Sequence, residues 1–124
     1  MIARDFGHCT LDPLREYSPP EVLTYLKSLP GVSDKVARCV AMYTLAAQVL
    51  PVDAHVFRVA SRLGWVERNR AAQCHSELEE LVPPAMRYAV HVSFVAHGRG
   101  TCRVRRPRCY DCAVVRYCRS GPLR

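Results

Sequence analysis

The apolar residues of this chain recur at helical spacing, and no stretch alternates in the way that a half-buried strand does. The segment Ser18-Pro19-Pro20-Glu21 combines an N-cap, prolines in the first turn and the glutamate of a capping box. It predicts a helix that ends at Pro30-Gly31. A second helix is predicted over residues 34–49, capped by Ser33 or Asp34. Its predicted buried stripe consists of Val36, Cys39, Val40, Tyr43 and Ala47.

Three more helices are predicted in the second half of the chain. Asp53 is placed to cap a helix that runs to Leu63, with Gly64 in the position where a left-handed residue ends a helix. A fourth helix is predicted over 70–82. A fifth is predicted from about residue 84 to residue 97, with Gly98 closing it.

These elements predict an all-α fold, and the 124 residues correspond to one domain, residues 1–124. Its predicted regions are a helix-hairpin-helix region at 18–50, helices at 51–98 and a basic cysteine loop at 99–124. No apolar stretch approaches the ~18 residues that a membrane span needs, and the N-terminal segment lacks an apolar core. Neither a membrane partner nor a secretory signal is therefore expected.

The formal net charge of +7 is concentrated at the C-terminal end. Residues 1–98 carry ten basic and ten acidic side chains, whereas residues 99–124 carry eight arginines and one acidic residue, Asp111. A basic patch of this kind is typical of a solubilising surface or of a nucleic-acid interface, and charge alone leaves both open.

Four of the seven cysteines are crowded into 17 residues of the basic loop, as Cys102-x6-Cys109-x2-Cys112-x5-Cys118. An odd total and this crowding argue against a disulfide framework and favour a reducing compartment. Cys9, Cys39 and Cys74 are scattered and are interpreted as small hydrophobic residues or surface thiols.

Four thiolates this close together indicate a metal centre. A four-cysteine zinc site usually uses two CxxC pairs, and only Cys109 and Cys112 form such a pair here. The wider and uneven loops fit a [4Fe–4S] cluster better, because the corners of a cluster lie farther apart than the ligands of one tetrahedral ion. Spacing alone leaves both metals open.

The turn from Leu29 to Lys35 is the second candidate site. Gly31 permits an unusual backbone angle there, and the amide groups at the start of the following helix can bind a phosphate. Taken alone, such a turn is more often structural. The plain interpretation of Lys35 is likewise a solvated cation, and that of Asp53 is an N-cap.

Three motifs together resemble the endonuclease III branch of the helix-hairpin-helix DNA glycosylases. They are Leu29-Pro30-Gly31-Val32-x-x-Lys35-x-Ala37, Pro51-Val52-Asp53-x-His55-Val56-x-Arg58-Val59, and His97-Gly98-Arg99-x-x-Cys102 with the cysteine loop. Their order and internal spacing match the family over residues 21–118. The resemblance implies a [4Fe–4S] cluster on Cys102, Cys109, Cys112 and Cys118. It also implies that Lys35 and Asp53 meet across a DNA-binding cleft.

The implied activity is base excision repair, by a DNA N-glycosylase with AP lyase activity. The implied catalytic residues are Lys35, which forms a Schiff base with the sugar, and Asp53, which stabilises positive charge on the sugar. The implied contacts to double-stranded DNA come from Gly31, Val32, Ser33, Arg99, Arg105 and Arg106. The expected location is cytoplasmic and nucleoid-associated, and the expected state is a monomer.

The sequence departs from the family pattern at Ser33, where a second glycine is usual, and at Ala54, where threonine is usual. Only 28 residues precede Leu29, so the N-terminal helices of the family are expected to be missing. Two alternatives therefore stand beside the enzyme. One is a non-catalytic iron–sulfur DNA-binding module or inactive fragment, and the other is a four-cysteine zinc protein whose hairpin is only structural.

Overall fold

The structure is a computed structural model that describes residues 1–7, 9–67, 71 and 74–121. Six α-helices are present in these ranges, and none of these residues lies in a strand, which confirms the predicted all-α class. The helices are α1 (Ile2–Phe6), α2 (Pro19–Ser28), α3 (Asp34–Leu45), α4 (Ala54–Leu63), α5 (His75–Leu81) and α6 (Arg87–Gly100). No helix in the described ranges is long and apolar enough to cross a membrane.

The chain packs as two compact units, a first unit of Met1–Pro51 and a second unit of Val52–Arg124. The first unit contains α1 to α3 and a short 3-10 turn at Asp12–Glu16. The second contains α4 to α6 and the basic cysteine loop. The expectation of one domain over residues 1–124 stays a prediction.

The capping box at the start of α2 forms as predicted. The Glu21 amide donates to the Ser18 hydroxyl at 3.4 Å, and the Ser18 amide donates to the Glu21 carboxylate at 3.3 Å. Because both partners satisfy an orphan donor of the helix N-terminus, the start of α2 is fixed by sequence neighbours alone. In the core of the first unit, α2 packs against α3 through Val22, Leu23, Leu26, Ala37, Ala41 and Met42.

Helix α3 differs from the prediction in its end and in its buried face. It stops at Leu45, because Ala46 adopts a left-handed conformation and the Ala47 amide bonds back to the carbonyl of Ala41 at 3.0 Å. The predicted stripe is wrong at Val36 and Tyr43, which are exposed, whereas Cys39, Val40 and Ala47 are half-buried. The fully buried residues of α3 are Ala37, Ala41 and Met42. Both faces of α3 are apolar, so periodicity could not choose between them.

Helix α4 has the predicted bounds. The Val56 amide donates to the Asp53 carboxylate at 2.8 Å, and Gly64 ends the helix with φ of 91°. In the described residues, the predicted fourth helix corresponds to α5 at His75–Leu81; Arg70, where it was expected to begin, lies outside those residues. A 3-10 turn at Pro84–Met86 precedes α6.

Helix α6 runs through Gly98 to Gly100, so the prediction that Gly98 closes the helix is wrong. Gly98 is buried where α6 packs against α4. A Cβ atom at Gly98 would lie 3.0 Å from the Arg58 guanidinium and 3.1 Å from the His55 Cβ atom. The glycine is therefore needed for close approach of two helices, and not as a helix terminator.

We expect Gly98→Ala to lower the free energy of unfolding by about 1–3 kcal/mol, because the added methyl overpacks the α4–α6 contact. Gly100→Ala is the matched control, since Gly100 lies on the same helix and no atom lies within 4 Å of its Cβ position. Urea unfolding of both variants measures the difference. Equal midpoints for the two variants would contradict the assigned role of Gly98.

Candidate functional site

The four clustered cysteines line a single cavity in the second unit. The cavity has a volume of about 160 Å³ and is also lined by Arg62 and Leu63 of α4 and by His97 of α6. Cys102, Cys109, Cys112 and Cys118 are all half-buried. Residues that span 17 positions of the sequence are thus gathered around one small space.

Short local turns bring the cysteines to this cavity. Cys102 directly follows the end of α6, where its amide bonds to the carbonyl of His97 at 2.7 Å. Two 3-10 turns, Cys109–Asp111 and Val115–Tyr117, then end at Cys112 and Cys118. Tight turns in the sequence between the cysteines therefore bring the four thiols to the wall of the cavity.

The four cysteines are a donor set that fits a thiolate-ligated metal centre. A four-cysteine zinc site and a [4Fe–4S] cluster both use four thiolates, and the cavity that these cysteines line gives the four sulfurs one common space. Among the residues described, no three His, Cys, Asp or Glu side chains are arranged to hold a metal ion.

Two arginines of α4 hold the cysteine loop: Arg58, which belongs to the second motif, and Arg62, which belongs to none of the three motifs. The Arg58 guanidinium donates to the carbonyls of Cys102 at 3.0 Å and Gly98 at 2.7 Å. Arg62 donates to the carbonyl of Arg103 at 2.7 Å and to the Cys102 sulfur at 3.3 Å. The only sequence signal for Arg62 is its i, i+4 spacing from Arg58 on one helix, in a part of the chain that has no net charge.

Arg108 also lines the cavity. Hydrogen bonds to Tyr110 and Asp111 raise the pKa of its guanidinium above the ordinary value. The bond to the Asp111 carboxylate is 2.8 Å long. A permanent positive charge therefore lies beside the cysteines.

The predicted phosphate-binding turn is exposed in the first unit. Gly31 has φ of 78°, a left-handed conformation that favours glycine, and no atom lies within 4 Å of its Cβ position. Val32 is half-buried, and Ser33 caps α3 by accepting the Val36 amide at 3.2 Å. The turn thus presents open backbone at the start of a 12-residue helix.

One ion pair crosses this turn, and a second lies within α3. The Asp34 carboxylate lies 3.2 Å from the Lys27 amine at the end of α2 and 2.8 Å from the Arg38 guanidinium of α3. Lys35, the next residue, is exposed and makes no hydrogen bond or ion pair with the residues that the structure describes. Its amine is therefore accessible to an incoming group.

Hydrogen bonds before and after Asp53 in the chain fix its position. The buried amide of Val52 donates to the His75 imidazole at 3.2 Å, and one Asp53 oxygen accepts the Val56 amide. The carboxylate is half-buried at the start of α4. Lys35 belongs to the first unit and Asp53 to the second, and their meeting across a cleft stays a prediction.

The predicted arginine contacts lie on the surface of the second unit. Arg99, Arg105 and Arg106 are all exposed. Arg106 adopts φ of 51°, and its carbonyl accepts the Arg103 guanidinium at 3.2 Å. Their role in binding DNA stays a prediction.

Comparison with known proteins gives related sequences along most of the chain. No family model matches it. Endonuclease III of Buchnera aphidicola subsp. Schizaphis graminum is 34% identical over 99 residues, which cover 80% of this chain and 47% of that protein. Endonuclease III of Rickettsia prowazekii is 36% identical over 101 residues, covering 82% and 48%. That of Escherichia coli K12 is 33% identical over 99 residues, covering 80% and 47%.

Solved structures match the fold over nearly the whole chain. A trapped covalent intermediate of endonuclease III with DNA and a non-covalent endonuclease III–DNA complex each have a TM-score of 0.77 and 26% sequence identity. Each match covers 97% of this chain and 53% of the solved chain. The chain therefore spans about half the length of the relatives that it matches.

The fold and the cysteine-lined cavity define an all-helical protein with a helical hairpin and a four-cysteine C-terminal loop. The fold is shared with about half of the endonuclease III chain in those complexes. The chain is homologous to endonuclease III over about 80% of its length, which confirms the resemblance that the three motifs indicated.

Proposed function

We propose that this chain acts in base excision DNA repair, as a DNA N-glycosylase with AP lyase activity. Its substrate is double-stranded DNA that contains a damaged base or an abasic site. The proposal rests on one observation: 97% of the chain shares its fold with endonuclease III in complexes with DNA. One of those complexes is a covalent intermediate, which supports a nucleophilic mechanism.

Lys35 is the nucleophile of this mechanism. Its neutral amine attacks C1′ of the sugar, the bond from C1′ to the base breaks, and the base leaves with the electron pair and takes up a proton. Loss of the amine protons and opening of the sugar give a Schiff base. β-Elimination then removes a proton from C2′, forms a C2′=C3′ double bond and expels the 3′ phosphate with the electron pair of the C3′–O bond, which cuts the strand on the 3′ side of the lesion. Arginine could not replace Lys35, because a guanidinium stays protonated.

Asp53 stabilises the positive charge that develops on the sugar as the base departs. A carboxylate fixed by a helix cap and by the buried segment before it costs little reorganisation when the charge appears. The base must first leave the stack, at a cost of a few kcal/mol that is least for a weakly paired or missing base.

Backbone and arginine contacts supply the affinity for DNA in this proposal. The open turn at Gly31, Val32 and Ser33 binds a backbone phosphate at the start of α3, where the amides and the helix dipole favour an anion. Arg99, Arg105 and Arg106 bind further phosphates. These contacts fix the register on DNA without reading its sequence.

Cys102, Cys109, Cys112 and Cys118 hold a [4Fe–4S] cluster in this proposal. When bound, the cluster cross-links the basic loop, which otherwise consists of short turns with little apolar core. Reduced thiols are needed to ligate it, so we place the protein in the reducing cytoplasm, associated with the nucleoid and monomeric.

A second candidate function is a non-catalytic iron–sulfur DNA-binding module. It would use the exposed arginines and the cysteine loop of the second unit and would not use Lys35 as a nucleophile. The chemistry of Lys35 decides between the two candidates.

The cofactor is tested by purifying the protein without oxygen. We expect a brown protein with bound iron and sulfide, and we expect Cys109→Ser to lose most of the iron and to reduce solubility, because the loop loses its cross-link. Cys9→Ser is the control, since Cys9 is exposed and lies outside the second unit. A colourless protein with stoichiometric zinc would support the four-cysteine zinc alternative.

The arginine contacts are tested by the salt dependence of binding to duplex DNA. Each phosphate contact contributes a slope of about 0.9 to the fall of log K with log salt, so Arg105→Glu with Arg106→Glu should flatten the slope. Arg4→Glu with Arg15→Glu gives the same change of charge in the first unit and serves as control. An equal slope for wild type and the Arg105/Arg106 variant would place that surface away from DNA.

The chemistry is tested by borohydride trapping on DNA with an abasic site. We expect wild type to form a covalent adduct and Lys35→Gln to abolish it while binding is largely kept, because only the nucleophile is removed. Lys27→Gln, which changes the one other lysine, should still form the adduct. If cluster-loaded wild type forms no adduct, the enzyme proposal is wrong and the DNA-binding module takes its place.

We also expect Asp53→Asn, which keeps the helix cap, to slow base release more than strand cleavage.

A further inference from the structure

Arg62 contacts both the first and the last cysteine of the loop. Its guanidinium Nη1 donates to the Cys102 sulfur at 3.3 Å. Its main-chain carbonyl accepts the Ser120 amide, two residues after Cys118, at 3.1 Å, and it also accepts the Cys118 thiol at 3.3 Å, a bond that is lost when Cys118 ligates metal as a thiolate. One residue of α4 thus joins the two ends of a loop that begins 40 residues later in the chain.

The guanidinium also holds the backbone that follows the first cysteine. It donates to the carbonyls of Arg103 at 2.7 Å and Val104 at 3.1 Å, in addition to the Cys102 carbonyl at 3.4 Å. Only a planar group with several donors can serve these acceptors at once. Lysine at this position would keep the charge and lose most of the contacts.

The charge of Arg62 lies beside a sulfur that ligates metal in its anionic form. The side chain is half-buried, so its field is screened less than that of the exposed arginines of the loop. Hydrogen bonds and positive charge at ligand sulfurs are levers that set the reduction potential of iron–sulfur centres.

We propose that Arg62 is a positioning residue of the cysteine-ligated centre, which fixes both ends of the loop and whose charge at Cys102 raises the reduction potential of the centre. This inference rests on the cluster assigned under the proposed function. It gives α4 two tasks, since Asp53 begins the helix and Arg62 lies near its end.

Arg58 provides a matched control one turn earlier on α4. It also donates to the carbonyl of Cys102, at 3.0 Å, but its other partners are the Gly98 carbonyl and the His55 imidazole. None of its contacts within the described part of the chain is to a sulfur. Arg58→Lys therefore disturbs the loop backbone on the same helix and leaves the thiol contact of Arg62 in place.

The experiment compares wild type, Arg62→Gln, Arg62→Lys and Arg58→Lys, each as the whole chain with cluster bound. The half-life of the visible absorbance in excess iron chelator measures how firmly the centre is held, and voltammetry measures its one-electron reduction potential. We expect Arg62→Gln to shorten the half-life about tenfold, as for other residues that support metal ligands, and to make the potential more negative. Arg62→Lys should shorten the half-life but keep a potential close to that of wild type.

The outcomes separate this inference from the proposed cofactor. If loaded wild type and both Arg62 variants share one potential and one half-life, or if Arg58→Lys produces the same shift in potential as Arg62→Gln, the role of Arg62 is overturned. If circular dichroism shows that Arg62→Gln does not fold, the half-lives of Arg62→Lys and Arg58→Lys are compared instead. Equal half-lives for these two variants would overturn the role of Arg62. Wild type that binds no iron would instead overturn the cofactor itself.

Discussion

Hydrogen bonds from the arginines of α4 to the cysteine loop are the interaction on which the second unit depends. The short turns of the loop after α6 satisfy carbonyls from Arg108 onward, but in the described residues no main-chain amide of the loop bonds to the carbonyls of Cys102, Arg103 and Val104. Arg58 and Arg62 supply donors to carbonyls of the loop's first residues and to the end of α6. Without these donors, the carbonyls of the buried Gly98 and the half-buried Cys102 would lose a partner, at a cost of about 1–3 kcal/mol each, whereas those of the exposed Arg103 and Val104 could bond to water.

The same contacts separate two kinds of arginine. The eight arginines of residues 99–124 carry the whole excess charge, and those placed in the proposed DNA interface are exposed. Arg58 and Arg62 come from the part of the chain with no net charge and point into the second unit. The exposed arginines of residues 99–124 are therefore surface cations, whereas Arg58 and Arg62 act as cross-links. The distribution of net charge along the sequence identifies only the surface cations.

Much of the fold could be predicted because it depends on neighbours in sequence. The capping box at Ser18, the cap at Asp53 and the left-handed Gly64 are each decided within a few residues, and all three formed as expected. The buried face of α3 and the role of Gly98 depend on which helix packs against which. The spacing of apolar residues and glycines along the chain did not predict either of them correctly. The four cysteines were found from spacing, whereas Arg62 was not, since its partners lie 40 residues away.

The ion pairs of Asp34 with Lys27 and Arg38 have a consequence for how fast the chain can engage a ligand. The pair with Lys27 links the end of α2 to the start of α3 across the turn at Gly31, whereas the pair with Arg38 lies within α3. If the turn binds a phosphate, as proposed above, a link across it reduces the ordering that binding requires. Brief, repeated encounters along a duplex would then cost little conformational entropy, which is what a protein needs if it inspects many sites and stops at few.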